Sequence, residues 1–403
     1  MTRAERSPFA RHFSLDPEVV YLNHGAFGAC PKVVQDTQRE LRERLEHNPV
    51  HFFMRELEPL LDDTRTVLGA FLGAEPEDLA FVPNATAGVN TVLCALDFEA
   101  GDEIVVCDHT YPACRNAVHY WAGRRSLQVR TAQIPFPVAS TEELSAALLA
   151  QVTSRTRLVL LDHVTSPSGL VLPLASLVGR LRDAGIDTLV DGAHGPGMLP
   201  LELERLGAAY YTGNLHKWAC APKGAAFLWV RRDRQEAIHP LVISHGWSQA
   251  RSDRSRFLLE FDWTGTLDPS AILSVPRALA FLGDLFPGGH GELYAYNHAL
   301  ALRARRTLCA ALGTAPPCPD AMIGSLAVAL FPEHAPRTPT PGALYDALRA
   351  RGIEVPIVPF PGYPSGFVRI AAQVYNSDAE FAHLAAALRE ELGLASASDS
   401  LPD

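Results

Sequence analysis

Short apolar, β-branched runs separated by helix-length segments limit what this chain can fold into. Such runs occur at 80–82, 103–107, 127–134, 158–161, 188–190 and 225–230. They are continuously apolar rather than alternating, which suits strands buried on both faces. The segments between most of them are long enough for helical crossovers, and crossovers join parallel strands. The first 280 residues therefore predict an α/β fold with a mainly parallel, doubly wound sheet. Two helices precede it at 31–47 and 55–72, the second with Leu57, Leu60, Leu61, Thr64, Leu68 and Phe71 on one face and Gly73 placed as its C-cap.

The pattern breaks at FPGGHGE, near Phe286. Beyond it the sequence predicts a helix at 292–312, a strand at 325–331, a helix at 342–351, two more strands and a final helix at 378–392. The expected organisation is an N-terminal arm (1–20), a large cofactor-binding domain (21–286), a smaller C-terminal α/β domain (287–393) and a disordered tail (394–403). There are 35 basic and 45 acidic side chains, a net charge of −10. That balance argues against a nucleic acid or an anionic membrane as partner, since both need a basic field. No run approaches 18 apolar residues and no signal-peptide core is visible, so the expectation is a cytoplasmic protein. The seven cysteines are odd in number and never spaced C-x-x-C, which points to buried small side chains rather than disulfides or structural zinc.

Ligands of an open parallel sheet bind at the carboxyl ends of its strands. The segments there are rich in polar groups: Asn84-Ala85-Thr86, Asp108-His109-Thr110-Tyr111, Asp162-His163, Asp191-Gly192-Ala193-His194 and His216-Lys217-Trp218. Each alone reads as a turn residue, a helix cap or a surface lysine. Together they meet the needs of pyridoxal 5'-phosphate. Lys217 supplies an amine for a Schiff base, and Asp191, 26 residues earlier, a carboxylate for a pyridinium nitrogen. A helix opening at Thr86 offers free amides and a positive dipole end to a phosphate. His109 or Tyr111 offers a ring to stack on the pyridine. A metal hydrolase built on Asp108-His109, Asp162-His163 and His194 is the alternative from another class, and a non-catalytic binding protein a third. G-x-S-x-G, a Walker loop and a strand-borne G-x-G-x-x-G are all missing.

The motifs LNHGAFGACP (22–31), PNATAGVN (83–90), DHTYPA (108–113), DHVTSPSGLVLPL (162–174), DGAHGPG (191–197), YYTGNLHKW (210–218), DWTGTLD (262–268) and VRIAAQVYN (368–376) give the chain a further reading. In this order they resemble the class V aminotransferase family of fold type I pyridoxal-phosphate enzymes, most of all its isopenicillin N epimerase-like subgroup. The resemblance implies that Lys217 carries the cofactor as a Schiff base and then moves the substrate's α-proton. It places Asp191 at the pyridinium nitrogen, and His194 and Thr165 near the phenolic oxygen. Ala85 and Thr86 would hold the phosphate, helped by His216 and by Asn214 or Tyr211. It implies a homodimer with shared active sites, in which Gly265 and Thr266 reach the partner subunit's phosphate. Arg369 would grip the carboxylate of a small amino-acid substrate, with Asn23 and His24 approaching from the N-terminal arm.

Related cysteine desulfurases carry a reactive thiol on a loop roughly 25 residues before this arginine. The interval 337–368 has no cysteine, and Cys318 lies 51 residues before Arg369, so persulfide chemistry is disfavoured. The expected reaction acts at the α-carbon of an amino acid: epimerisation ahead of C–S β-elimination, with transamination third. Epimerisation needs an acid on each face of the carbanion. Lys217 is one, and His24, His163 or Tyr111 the other. The polar, arginine-bearing stretch 244–256 is either a solvated face or a second anion site.

Overall fold

A computed structural model describes residues 5–394. The tail expected at 394–403 lies outside the described residues apart from Leu394, as do residues 1–4. In chain order the strands are β1 (Val20–Tyr21), β2 (Leu79–Val82), β3 (Glu103–Cys107), β4 (Gln128–Ala132), β5 (Thr156–Asp162), β6 (Asp187–Asp191), β7 (Tyr210–Asn214), β8 (Ala226–Val230), β9 (Leu326–Leu330), β10 (Ile353–Glu354), β11 (Ile357–Phe360) and β12 (Tyr363–Ala371).

Seven of them form one sheet in the order β2-β8-β7-β6-β5-β3-β4. The pairs β4/β3, β3/β5, β5/β6 and β6/β7 are parallel, whereas β8 runs antiparallel to both neighbours. All six expected runs became strands of this mainly parallel sheet. The run at 127–134 contributes only Gln128–Ala132, because β4 is an edge strand and Leu127 and Ile134 bury their side chains outside the ladder. The run at 158–161 extends at both ends into β5, which carries Asp162 to the sheet's carboxyl edge in register with Asp191.

Alternate residues of each central strand enter two separate cores. Val159 and Leu161 of β5 pack with Leu174, Leu177 and Leu181 of the helix Leu174–Asp183. Leu158 and Leu160 pack with Cys114 and Val118 of the helix Pro112–Arg125. The chain passes from β3 outward to β4, then returns to the other side of β3 as β5. That reversal opens a crevice at the carboxyl ends of β3, β5 and β6.

The C-terminal third adds a three-stranded antiparallel sheet, β11-β12-β9, against which the helix Gly289–Leu312 packs. Residues 286–288 form the turn before that helix, which starts three residues earlier than its apolar pattern suggests. The final helix, Asp378–Leu392, has the expected bounds and opens with a capping box between Ser377 and Glu380. Near the other end of the chain, β1 pairs in parallel with β10, and the Ala371 amide donates to the Leu22 carbonyl. No helix among the described residues is long and apolar enough to cross a membrane.

Two glycines let backbone segments close on the loop after β7. Gly28 has φ +70°, and a Cβ there would lie 2.0 Å from the His216 carbonyl oxygen. Gly197, at φ +86°, would place a Cβ 2.3 Å from the Trp218 carbonyl carbon. Gly28→Ala should therefore destabilise the protein by about 2–3 kcal/mol through clash and left-handed strain. Urea unfolding monitored by circular dichroism measures it, and a loss below about 0.5 kcal/mol would show that this contact yields easily.

Candidate active site

At the carboxyl edge of the large sheet lies a cavity of about 330 Å³. Eight residues expected in the site border it: Ala85, Thr86, Tyr111, Asp191, His194, Asn214, His216 and Lys217. They come from the ends of β2, β3, β6 and β7, which is why positions spread over 130 residues converge. Asn84 caps the helix Ala85–Ala95, its side-chain oxygen accepting from the Ala87 amide at 2.8 Å. Asn214 accepts from the Ala85 amide at 2.9 Å. The Thr86 amide is the early helix donor that finds no acceptor among the described residues.

Asp191 is buried at the end of β6. One carboxylate oxygen accepts from the Ala193 amide at 3.0 Å, and the other from the Cys114 thiol at 3.1 Å. Lys217 follows β7, with Nζ 3.2 Å from Nε2 of His194, whose Nδ1 accepts from the Trp218 indole at 3.1 Å. Enclosure by protein pushes the Lys217 ammonium down to about 8, with Asp191 opposing that shift and Arg369 reinforcing it. At pH 7 this makes the neutral amine about 300-fold more abundant than in a free lysine.

The other expected residues sit outside this lining. Arg369 on β12 is only 8% exposed and reaches the cavity wall by donating to the carbonyl and the hydroxyl of Ser166. Its Nε has no partner, and burial lowers the guanidinium to about 10. His24 lies behind Lys217. Its Nδ1 is 2.8 Å from the Tyr375 hydroxyl and its Nε2 is 3.0 Å from the Lys217 carbonyl oxygen, which also accepts from the Cys220 amide at 3.0 Å. Asn23 donates to Glu354. The arm meets the cavity through Ala26 and Phe27 instead.

His109 is buried between Phe136 and Phe360 and bonds Ser168 at 2.7 Å, so of the two rings expected to stack, Tyr111 borders the cavity. Thr165 bonds Ser168 and the Leu170 amide inside its own turn. The Tyr211 hydroxyl bonds His163 at 2.9 Å beneath the sheet edge. Gly265 borders a second cavity of about 430 Å³, lined in part by Ala87 and Thr91 of the helix Ala85–Ala95, and Thr266 is exposed beside it. The arginines of 244–256 are paired: Arg251 with Glu58 and Asp253, Arg254 with Asp62 and Asp262, and Arg256 with Glu260. That loop carries ion pairs, and the second anion site considered for it lacks a free guanidinium.

The sequence reading placed Asp162 among the polar strand ends and in the metal-hydrolase alternative, but gave it no part in the cofactor site. It ends β5 beside Asp191, accepts from the Tyr111 amide at 3.2 Å, and leaves its other oxygen buried and unpartnered in the cavity wall. Burial first, and then the Asp191 charge, hold its carboxyl well above the usual range. Its signal in the sequence was positional, an acidic residue ending a strand next to the one that ends in Asp191. Ser166 and Cys114 lacked even that.

These groups fit pyridoxal phosphate. An amine of lowered proton affinity and a buried carboxylate share one cavity, an unpaired amide opens a helix at its wall, and unpartnered polar atoms of Asp162, His216 and Arg369 lie about it. The Aminotransferase class-V family model matches residues 20–310. Isopenicillin N epimerase of Amycolatopsis lactamdurans is 36% identical, over 94% of this chain and 96% of its own. A probable chloroplastic L-cysteine desulfhydrase of Arabidopsis thaliana is 32% identical, over 94% and 83% respectively. A C-DES variant solved with glycine covalently linked to its PLP cofactor superposes with a TM-score of 0.78 at 23% identity, covering 92% of this chain and 96% of its own.

A carboxyl whose pKa is raised by folding favours the folded state at low pH, and that support disappears as pH rises from the unfolded value through the folded one. Asp162→Asn should therefore gain stability over the parent at pH 9 and lose that advantage toward pH 4. Urea midpoints at the two pH values test this, and an equal difference at both would show that Asp162 is charged throughout.

Proposed function

The chain belongs to the aminotransferase class-V family, and from that premise we propose that it is a pyridoxal-phosphate-dependent enzyme acting at the α-carbon of an amino-acid substrate, with epimerisation as its leading reaction. The observation that carries this reading is the meeting of Lys217, Asp191 and Tyr111 in one cavity. Bound there, pyridoxal phosphate supplies an electron sink for negative charge at the α-carbon.

Lys217 binds the cofactor and then carries the α-proton, roles that its lowered proton affinity suits. Asp191 holds the positive ring nitrogen, and His194 lies beside the lysine to contact the phenolic oxygen. The Thr86 amide, with Ala85, Asn214 and His216 around it, binds the phosphate. Arg369 and Ser166 receive the substrate carboxylate, for which a planar guanidinium fork is better matched than a point charge. Of the three groups weighed as second acid, His24 is bound to the Lys217 carbonyl and His163 to Tyr211, whereas Tyr111 borders the cavity. That supports Tyr111 as the group that returns the proton on the face opposite Lys217.

The likeness to an L-cysteine desulfhydrase favours β-elimination as the second reading, and transamination stands third. A homodimer completes the proposal, with Gly265 and Thr266 serving the partner's phosphate site. The exposed apolar side chains of Leu241, Val242, Ile243 and Leu267 support it, since a lone chain leaves them in water.

Incubation with L- and D-amino acids in deuterated water tests the reaction. Deuterium at the α-carbon of both enantiomers is the expected result, whereas release of pyruvate and ammonia would place the lyase reading first. Borohydride should fix the cofactor on the Lys217 peptide, and Lys217→Ala should abolish both fixation and turnover. Arg369→Lys should raise KM about tenfold or more while leaving cofactor affinity near that of the parent. Equal losses in both would remove Arg369 from the substrate site.

A further inference from the structure

The sequence motif ends in a tryptophan that the proposed chemistry does not use. Trp218 is fully buried among Val164, Met198, Leu326 and Ala371, with Gly197 closed on its backbone and the His24 ring 4.9 Å away. The indole N–H can only donate, and it donates to Nδ1 of His194 at 3.1 Å. An imidazole nitrogen that accepts cannot bear a hydrogen.

We infer that Trp218 is a positioning residue: its indole fixes His194 as the neutral Nε2–H tautomer, so that the imidazole donates toward Lys217 Nζ, 3.2 Å away, and disfavours the ammonium form of that amine. An Nδ1–H imidazole or an imidazolium would set two hydrogens against each other across the 3.1 Å contact. An ammonium on Lys217 would likewise face the Nε2 hydrogen.

The surrounding charges divide in a consistent way. Lys217, Arg369, His24 and His216 oppose a positive charge on His194, in addition to its burial. Asp191 is the group that favours a charged Lys217, while burial and Arg369 disfavour it. Asp191 already accepts from the Ala193 amide and from Cys114. The indole thus works one residue removed from the chemistry: it selects which imidazole nitrogen faces the cavity, and the imidazole selects the state of the amine. The same Nε2–H is the donor that a cofactor's phenolic oxygen would need.

The inference rests on reading Lys217 as the cofactor-binding amine, and two measurements keep it separate from that reading. The first is nitrogen-15 NMR of the full-length protein with labelled histidine, His194 being assigned by loss of its signals in His194→Gln. An unprotonated Nδ1 with a protonated Nε2 from pH 6 to pH 9 is the expected result. A protonated Nδ1 anywhere in that range overturns the inference, with no variant of Trp218 needed.

The second is the rate at which cofactor-stripped full-length protein captures added pyridoxal 5'-phosphate, trapped by borohydride on the Lys217 peptide. In the parent it should rise with pH through a midpoint near 8. Trp218→Phe frees the imidazole to accept from an ammonium, which should move the midpoint upward and slow capture at pH 7 about tenfold. A folded Trp218→Phe protein with an unshifted midpoint overturns the inference. Absence of capture at every pH in both proteins would overturn the cofactor reading, while the NMR result still decides the tautomer.

Discussion

The structure depends on keeping one primary amine out of water without neutralising it by an ion pair. A buried ammonium ordinarily finds a carboxylate, and a lysine so paired is a poor nucleophile. Here the carboxylate whose charge acts on the amine, Asp191, has one oxygen on a backbone amide and the other on a thiol. The arginine on β12 opposes a positive charge there. The main chain of Lys217 is held with equal care, since its carbonyl accepts from both His24 and the Cys220 amide. The amine is therefore free to react while the residue that carries it is not free to move.

The antiparallel placement of β8 is part of the same design. A parallel successor to β7 would need a crossover of a dozen or more residues, usually a helix across the face of the sheet. Turning back at once allows residues 215–225 to form a tight loop at the sheet edge, with Lys217 three positions beyond Asn214. The glycines at 28 and 197 then let two other segments close directly on that loop. A sheet otherwise wound from parallel strands breaks its pattern at the loop that carries Lys217.

Much of this was legible in the sequence because strands buried on both faces announce themselves by composition, and their carboxyl ends follow at once. Every run of that kind became a strand, and the residues directly after β2, β3, β6 and β7 supplied eight groups of one cavity. What escaped depends on contacts between distant segments. Asp162 looked like a turn residue until β5 proved long enough to set it beside Asp191. LNHG lies close to the cavity, yet a single helical turn sends Ala26 and Phe27 to its lining and His24 behind Lys217. His109 and Tyr111 are two residues apart, and only the packing of Phe136 and Phe360 distinguishes them. Arg251 and Arg254 could not be fully assigned from composition because two of their partners, Glu58 and Asp62, lie nearly 200 residues away.

The pairing of β1 with β10 carries a consequence for how the chain is made. A ribosome has to release Ile353 before Val20 finds its strand partner, and Tyr375 before His24 finds its hydroxyl. The segment that steadies the Lys217 carbonyl is thus synthesised 351 residues ahead of the tyrosine that fastens it. The large sheet can assemble before the C-terminal third has been synthesised, but the loop that carries Lys217 is braced only once Tyr375 has emerged.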